Sequence, residues 1–256
     1  MTDIQEFRKL AESFGGVAAE YDRARPSYPQ ELFDELERLS GRGLRGARVL
    51  DVGAGTGIST RLLAGRGADV VGVEPSAGMA AQFLASGPGL ALVRGSGDDL
   101  PFHDRSADFV TYAQAFHWTD PERSVPEAVR VLRPGGALAA WWNVIDQDVP
   151  WVRAANARLR ALLPEAYQQF EELETAAEQW RRLGLESVTA VLRWERRITV
   201  DHLLTDLSSR SYVAVLDEDR RRALLEGERA ALRADFPDGL VTEPYLLELT
   251  LAVVPG

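Results

Sequence analysis

The chain has 256 residues, a formal net charge of -10 and no cysteine, which excludes disulfides, thiolate catalysis and cysteine-ligated metal. The acidic balance argues against nucleic acid, whose phosphates favour a basic partner, and for a small molecule. The length suits one large α/β domain, or one domain with a modest insertion, and 45% apolar residues suit a globular protein with a real core.

The first residues, Met1 to Glu6, lack the basic and apolar runs of a leader, and no stretch has the length of a membrane span, so a cytoplasmic protein with no membrane partner is expected. A helix is predicted from Gln5 to about Ser13, broken at Gly15-Gly16. Ala18 to Pro29 reads as ordered but irregular, with Tyr21, Pro26, Tyr28 and Pro29. The next helix runs from about Pro29 to Leu39, with Leu32, Phe33, Leu36 and Leu39 on one face.

Strands and helices then alternate. Strands are expected at Arg48–Val52, Asp69–Val73, Leu90–Arg94, Ala107–Tyr112 and Ala137–Trp142. Helices are expected at Ile58–Ala64, Ala77–Leu84 and about Glu122–Leu132, and Pro134-Gly135-Gly136 reads as a tight turn before the fifth strand. Such alternation predicts a parallel sheet covered on both faces. Past Asn143 the pattern changes, with helices at Pro150–Leu163, Glu165–Leu183, about Asp201–Ser209 and Asp217–Ala234. Strands at Ser187–Thr199 and Tyr245–Val254 are expected to pair antiparallel at one sheet edge.

Five stretches carry chemistry. Gly53-Ala54-Gly55-Thr56-Gly57 follows the first strand, where glycines allow sharp turning and close ligand approach. A dinucleotide spacing would need glycine at 58 or 60, and Ile58 and Thr60 stand there; the plainer reading is a turn without a ligand. Glu74, ending the second strand before Pro75, could accept two ribose hydroxyls or be a solvated acid. In Gly95–Phe102, an acid could take an adenine amine while Gly97 leaves room for the ring, or the stretch is a surface loop. Tyr112 to Trp118 ends the fourth strand at the edge where ligands bind in open sheets; His117 is a general base, a hydrogen-bond partner of the substrate, or a packed histidine. Trp141-Trp142-Asn143 ends the fifth strand, with one tryptophan in the core and Asn143 toward the cleft.

Taken together, Val49–Gly57, Val71–Ser76, Leu100-Pro101-Phe102 and Arg130–Gly136 resemble the class I S-adenosylmethionine-dependent methyltransferases, in order and spacing. Phe14–Pro29, Ala113–Trp118 and Ser209–Tyr212 look like a small-molecule branch that includes trans-aconitate methyltransferase-like and secondary-metabolite enzymes. The resemblance implies a Rossmann-like, mostly parallel sheet with an antiparallel last strand. It implies lid helices over 1–40 and a main domain over 41–256, with helical cap insertions at about 150–183 and 201–235. The implied cofactor is S-adenosyl-L-methionine, and no metal is expected. Tyr21, Arg25, Asp51, Gly53, Ala54, Gly55, Glu74, Pro75, Gly97, Asp98 and Gln114 would hold it. Tyr28, His117, Trp118, Trp142, Asn143 and Tyr212 would line the acceptor pocket.

The expected activity is methyl transfer to an oxygen or nitrogen of a small acceptor, with His117 the candidate base where the acceptor must lose a proton. A carboxylate acceptor would need none. The fold also admits a non-methylating reaction such as cyclisation, or a non-catalytic cofactor-binding module.

Overall fold

The computed structural model describes residues 25–164 and 174–255. Tyr21, the helix expected near residues 5–13 and the first nine residues of the one expected over 165–183 lie outside them.

Seven strands form one sheet. They are β1 (Arg48–Val52), β2 (Asp69–Val73), β3 (Ala91–Val93), β4 (Ala107–Ala113), β5 (Leu132–Ile145), β6 (Val188–Thr199) and β7 (Leu240–Val253). Their order is β3-β2-β1-β4-β5-β7-β6. Strands β1 to β5 are parallel, and β7 runs antiparallel between β5 and β6. The central strands are buried on both faces, as their unbroken apolar runs require.

Nine helices surround the sheet among the described residues: α1 (Gln30–Ser40), α2 (Ile58–Gly65), α3 (Ala77–Ser86), α4 (Pro121–Val131), α5 (Pro150–Leu162), α6 (Ala176–Arg182), α7 (Val200–Ser208), α8 (Ser211–Ala214) and α9 (Glu218–Asp235). None is long and apolar enough to cross a membrane. Local chemistry sets several starts. Ser76 caps α3 through Met79 N–H, Asp120 caps α4 ahead of Pro121, and Thr175 with Glu178 forms a capping box on α6.

Three apolar clusters follow. On one face, Leu32, Phe33 and Leu36 of α1 are fully buried with Val49, Leu63, Phe109 and Trp141, each worth about 1.5–3 kcal/mol. Helix α1 therefore packs as a layer on the sheet. On the other face Leu50, Val110, Tyr112, Phe116, Val125 and Trp180 pack together. A third cluster, with Leu159, Leu204, Leu207, Leu224 and Leu232, joins α5, α7 and α9.

Two strand limits differ from expectation. The turn at Pro134-Gly135-Gly136 keeps its left-handed Gly135 (φ 72°), yet it lies inside β5, because Gly135 N–H donates to Val254 O and Val254 N–H to Gly136 O. Strand β7 begins at Leu240, five residues earlier than Tyr245, because it pairs with β6 along its whole length, from Thr199 opposite Leu240 to Val188 opposite Leu251.

Candidate functional site

A cavity of about 860 Å³ opens at the carboxyl edge of the parallel strands, within the usual range of roughly 300–1,000 Å³ for small-molecule sites. One end is built by the turns after β1, β2 and β3. The other is built by β5, α5, α7, α8 and α9.

At the first end, Gly53, Gly55 and Gly57 all have positive φ (67°, 57° and 87°). Gly53 N–H and Ala54 N–H both donate to Val73 O, at 2.8 and 3.1 Å, which pins the turn to β2. A Cβ on Gly53 would stand 2.5 Å from Ala115 Cβ, so glycine is required on two independent grounds. Glu74 continues the same construction. Its Oε2 accepts from Gly55 N–H at 2.9 Å and its Oε1 from Ser76 N–H at 2.7 Å. Burial raises its pKa, against the pull of those donors and of Arg94. Each carboxylate oxygen has a further acceptor position, and Glu74 and Pro75 both line the cavity.

Asp51 does not line it. Its side chain is fully buried behind the turn, where Oδ2 accepts from Thr60 Oγ1 at 2.6 Å and Oδ1 from Thr111 Oγ1 at 2.9 Å. Burial pushes its pKa up to about 6. Asp51 thus braces β1 against α2 and β4, behind the turn that lines the cavity.

Gly97 is on the wall, and a Cβ there would come within 3.0 Å of Tyr112 Oη and 3.1 Å of Thr119 Cγ2. Tyr112 is fully buried, also lines the cavity, and its hydroxyl has no partner among the described residues. Such an orphan costs about 1–3 kcal/mol, which a ligand with a polar group at this place would recover. Asp98 is not on this wall. Its Oδ1 accepts from Asp120 N–H at 2.9 Å, joining the loop after β3 to the start of α4. Through this bond Asp98 braces the two segments.

Gln114, His117 and Trp118 form the middle of the wall. Gln114 is left-handed (φ 57°), a conformation that costs a non-glycine residue about 1–3 kcal/mol and clusters at functional sites. Its Nε2 donates to Asn143 O at 3.4 Å. His117 lies in a 3₁₀ turn, Phe116–Trp118, against the Trp118 ring (4.8 Å between centroids). Its Nδ1 accepts from Trp142 Nε1–H at 3.2 Å. A neutral ring accepting at Nδ1 carries its proton on Nε2. Burial among protein atoms pushes its pKa down to about 4. The ring is still open to cavity water, so the full depression applies when that water is displaced. In this arrangement His117 presents an N–H donor to the cavity.

Trp142 does not reach the cavity wall; it positions His117. Asn143 faces the cavity as expected, but its amide is committed. Nδ2 donates to Ser27 O at 3.1 Å and Oδ1 accepts from Trp194 Nε1–H at 2.9 Å. Tyr28 lines the cavity and stands edge-on to Trp141 (6.0 Å, 84°). Tyr212 and Arg25 are also on the wall.

Sequence reasoning passed over Asp206, Arg210 and Tyr245, which line the second end. Arg210 Nη2 donates to Asp206 Oδ2 at 3.1 Å, and Arg25 Nε lies 3.7 Å from Asp206 Oδ1. Burial disfavours the Arg210 charge, yet the neighbouring Tyr212 and Asp206 outweigh it and hold its pKa well above the ordinary value. The usable signal was adjacency, because Arg210 sits in the Ser209–Tyr212 stretch that singled out Tyr212. Among the described residues no group of three metal-ligating side chains is close enough to hold an ion.

The methyltransferase domain family matches residues 50–140. An uncharacterized methyltransferase of Mycobacterium tuberculosis is 35% identical over 234 residues, covering 88% of this chain and 87% of that one. A demethylmenaquinone methyltransferase of Beutenbergia cavernae is 40% identical over 178 residues, 64% of this chain and 74% of that one. Among solved structures, phosphoethanolamine N-methyltransferase 2 of Haemonchus contortus, with phosphomonomethylethanolamine and S-adenosylhomocysteine, aligns with TM-score 0.58 and 16% identity, over 100% of this chain and 61% of that one. At that identity the likeness concerns the fold.

Proposed function

This chain belongs to the class I S-adenosylmethionine-dependent methyltransferases, and on that premise we propose that it methylates an oxygen or nitrogen of a small-molecule acceptor. The observation that carries the proposal is the single cavity. It runs from the glycine turn and Glu74 to an aromatic and charged end wide enough for a second molecule. The residues at the first end fit the cofactor: a carboxylate with acceptor positions left over, a glycine where a side chain would intrude, and the orphaned Tyr112 hydroxyl beside it.

Bound S-adenosylmethionine supplies a methyl on a positively charged sulfur, already activated. What remains for the protein is positioning and exclusion of water. In this reading Glu74 accepts ribose hydroxyls, Gly97 and Tyr112 accommodate the adenine, and Gly53, Ala54, Gly55 and Gln114 shape the remaining surface. Arg25, and Tyr21 from outside the described residues, close the cofactor from the N-terminal side. Tyr28, Trp118 and Tyr212 contact the acceptor, and His117 orients it through Nε2–H. Helices in 150–183 and 201–235 cap the cleft. The Ser209–Tyr212 and Ala113–Trp118 stretches support the small-molecule branch noted above.

The test uses S-adenosylmethionine with a deuterated methyl and a panel of small acids, phenols and amines, read by mass spectrometry. Transfer of one labelled methyl to a panel member is the expected result. A changed product carrying no label would sink methyl transfer and leave a cofactor-dependent reaction of another type.

A further inference from the structure

The acceptor end of the cavity has an unusual charge for this molecule. The chain as a whole carries a formal charge of -10, yet the described residues lining this end include Arg25, Arg210 and Arg220 against one carboxylate, Asp206. The remaining lining carboxylate, Glu74, stands at the far end beside Gly55. Depth matters as much as sign. The Asp206 side chain is 1% exposed, whereas those of Arg25 and Arg210 are 26% and 27% exposed. The acid sits behind the two guanidinium groups and fixes them, so a ligand meets the cations first.

Arg210 has five N–H donors and, among the described residues, two acceptors, Asp206 Oδ2 at 3.1 Å and Tyr212 Oη at 3.5 Å. The carboxylate behind it maintains the charge without satisfying the fork. Planar forks of this kind match carboxylate geometry. The surrounding wall is apolar. Leu162, Leu163, Val215 and Leu216 line the same end, and Leu162 and Val215 are 54% and 66% exposed, among the most exposed large apolar side chains described. Exposed apolar surface beside a cation selects for an amphipathic ligand.

We infer that this end binds an organic acid, its carboxylate seated against Arg210 and its apolar body against Leu162, Leu163, Val215 and Leu216. The inference rests on the reading of this cavity as the acceptor site and narrows the acceptor to a carboxylate-bearing, apolar small molecule. A primary ammonium is rejected by the same cations, and a neutral amide of the same shape loses the ionic contact.

The experiment measures binding of octanoate, octanamide and octylammonium by calorimetry to protein saturated with S-adenosylhomocysteine. The wild type should prefer octanoate over octanamide by at least about tenfold, as expected for a charge-assisted contact, with octylammonium weakest. The preference should fall below about threefold in Arg210→Gln. It should fall likewise in the paired variant Asp206→Asn with Arg210→Gln, which removes the Arg210 cation together with the acid beside it. S-adenosylhomocysteine affinity should stay within about twofold in both. Equal affinities, failure of octanoate to bind at millimolar concentration, or a preference that survives both variants would overturn the inference. Failure of the wild type to bind S-adenosylhomocysteine would instead overturn the cofactor reading of the cavity.

Discussion

The two ends of the cavity are made differently. The glycine-turn end consists of backbone and short loops that follow consecutive parallel strands. Its side chains are already engaged: Glu74 with two backbone N–H groups, Asp51 with two threonine hydroxyls, Asp98 with the start of α4. The arginine end is assembled from residues far apart in the chain, Arg25, Leu162, Asp206, Arg210 and Tyr245, and presents charge outward. A preorganised end suits a ligand that never changes. An end of protruding side chains suits one that differs between relatives.

Substitution can sharpen or break that contrast. The largest effect is expected from Gly53→Ala. The added Cβ meets Ala115 Cβ at 2.5 Å and sits on a left-handed residue, so the turn must move by a distance of order 1 Å, which costs about 100-fold. Calorimetry with S-adenosylhomocysteine checks this, and near-normal affinity would mean the turn is not the binding surface. Glu74→Gln comes next, since an amide directs N–H toward Gly55 N–H or Ser76 N–H and loses charge-assisted bonds worth about 1.5–3 kcal/mol. S-adenosylhomocysteine affinity should drop about 10- to 100-fold; a change under threefold removes the ribose assignment.

The smallest effect is expected at His117. Glutamine keeps an acceptor for Trp142 and a donor toward the cavity, so His117→Gln should turn over within about threefold of wild type, whereas His117→Ala should lose up to about tenfold, one hydrogen bond. The wild-type rate should be flat from about pH 6 to 9, because a donor ring with pKa about 4 does not titrate there. A rate that rises with an inflection near pH 6.5 and flattens in His117→Gln would make His117 the base.

The contrast between the ends is also a contrast in legibility. Strands β1 and β2 match their expected limits, and Glu74 was found, because apolar runs punctuated by glycine are local signals. The positions of Asp51 and Asp98 along the chain are local signals, whereas their bonds to Thr60 and Asp120 are not. A one-dimensional pattern locates a residue at a strand end and does not say whether its carboxylate turns to the cavity or to Thr60 and Asp120. His117 was identified as one of three types, and the choice among them turned on Trp142, 25 residues away. Arg210 went unnoticed because the chain is rich in arginine, which hides a single functional one. Nothing local to residue 210 announces Arg25 or Leu162 beside it.

The cluster joining α5, α7 and α9 has a consequence beyond the cavity it overhangs. Leu159, Leu204, Leu224 and Leu232 pack mainly on one another, while the sheet keeps separate cores on its two faces. The helices that carry or adjoin Leu162, Asp206 and Arg220 can therefore be rebuilt by mutation without renegotiating the strands that carry Gly53 and Glu74. Divergence is channelled: a lineage can try new acceptors with one part of the molecule while the other goes on recognising the same donor.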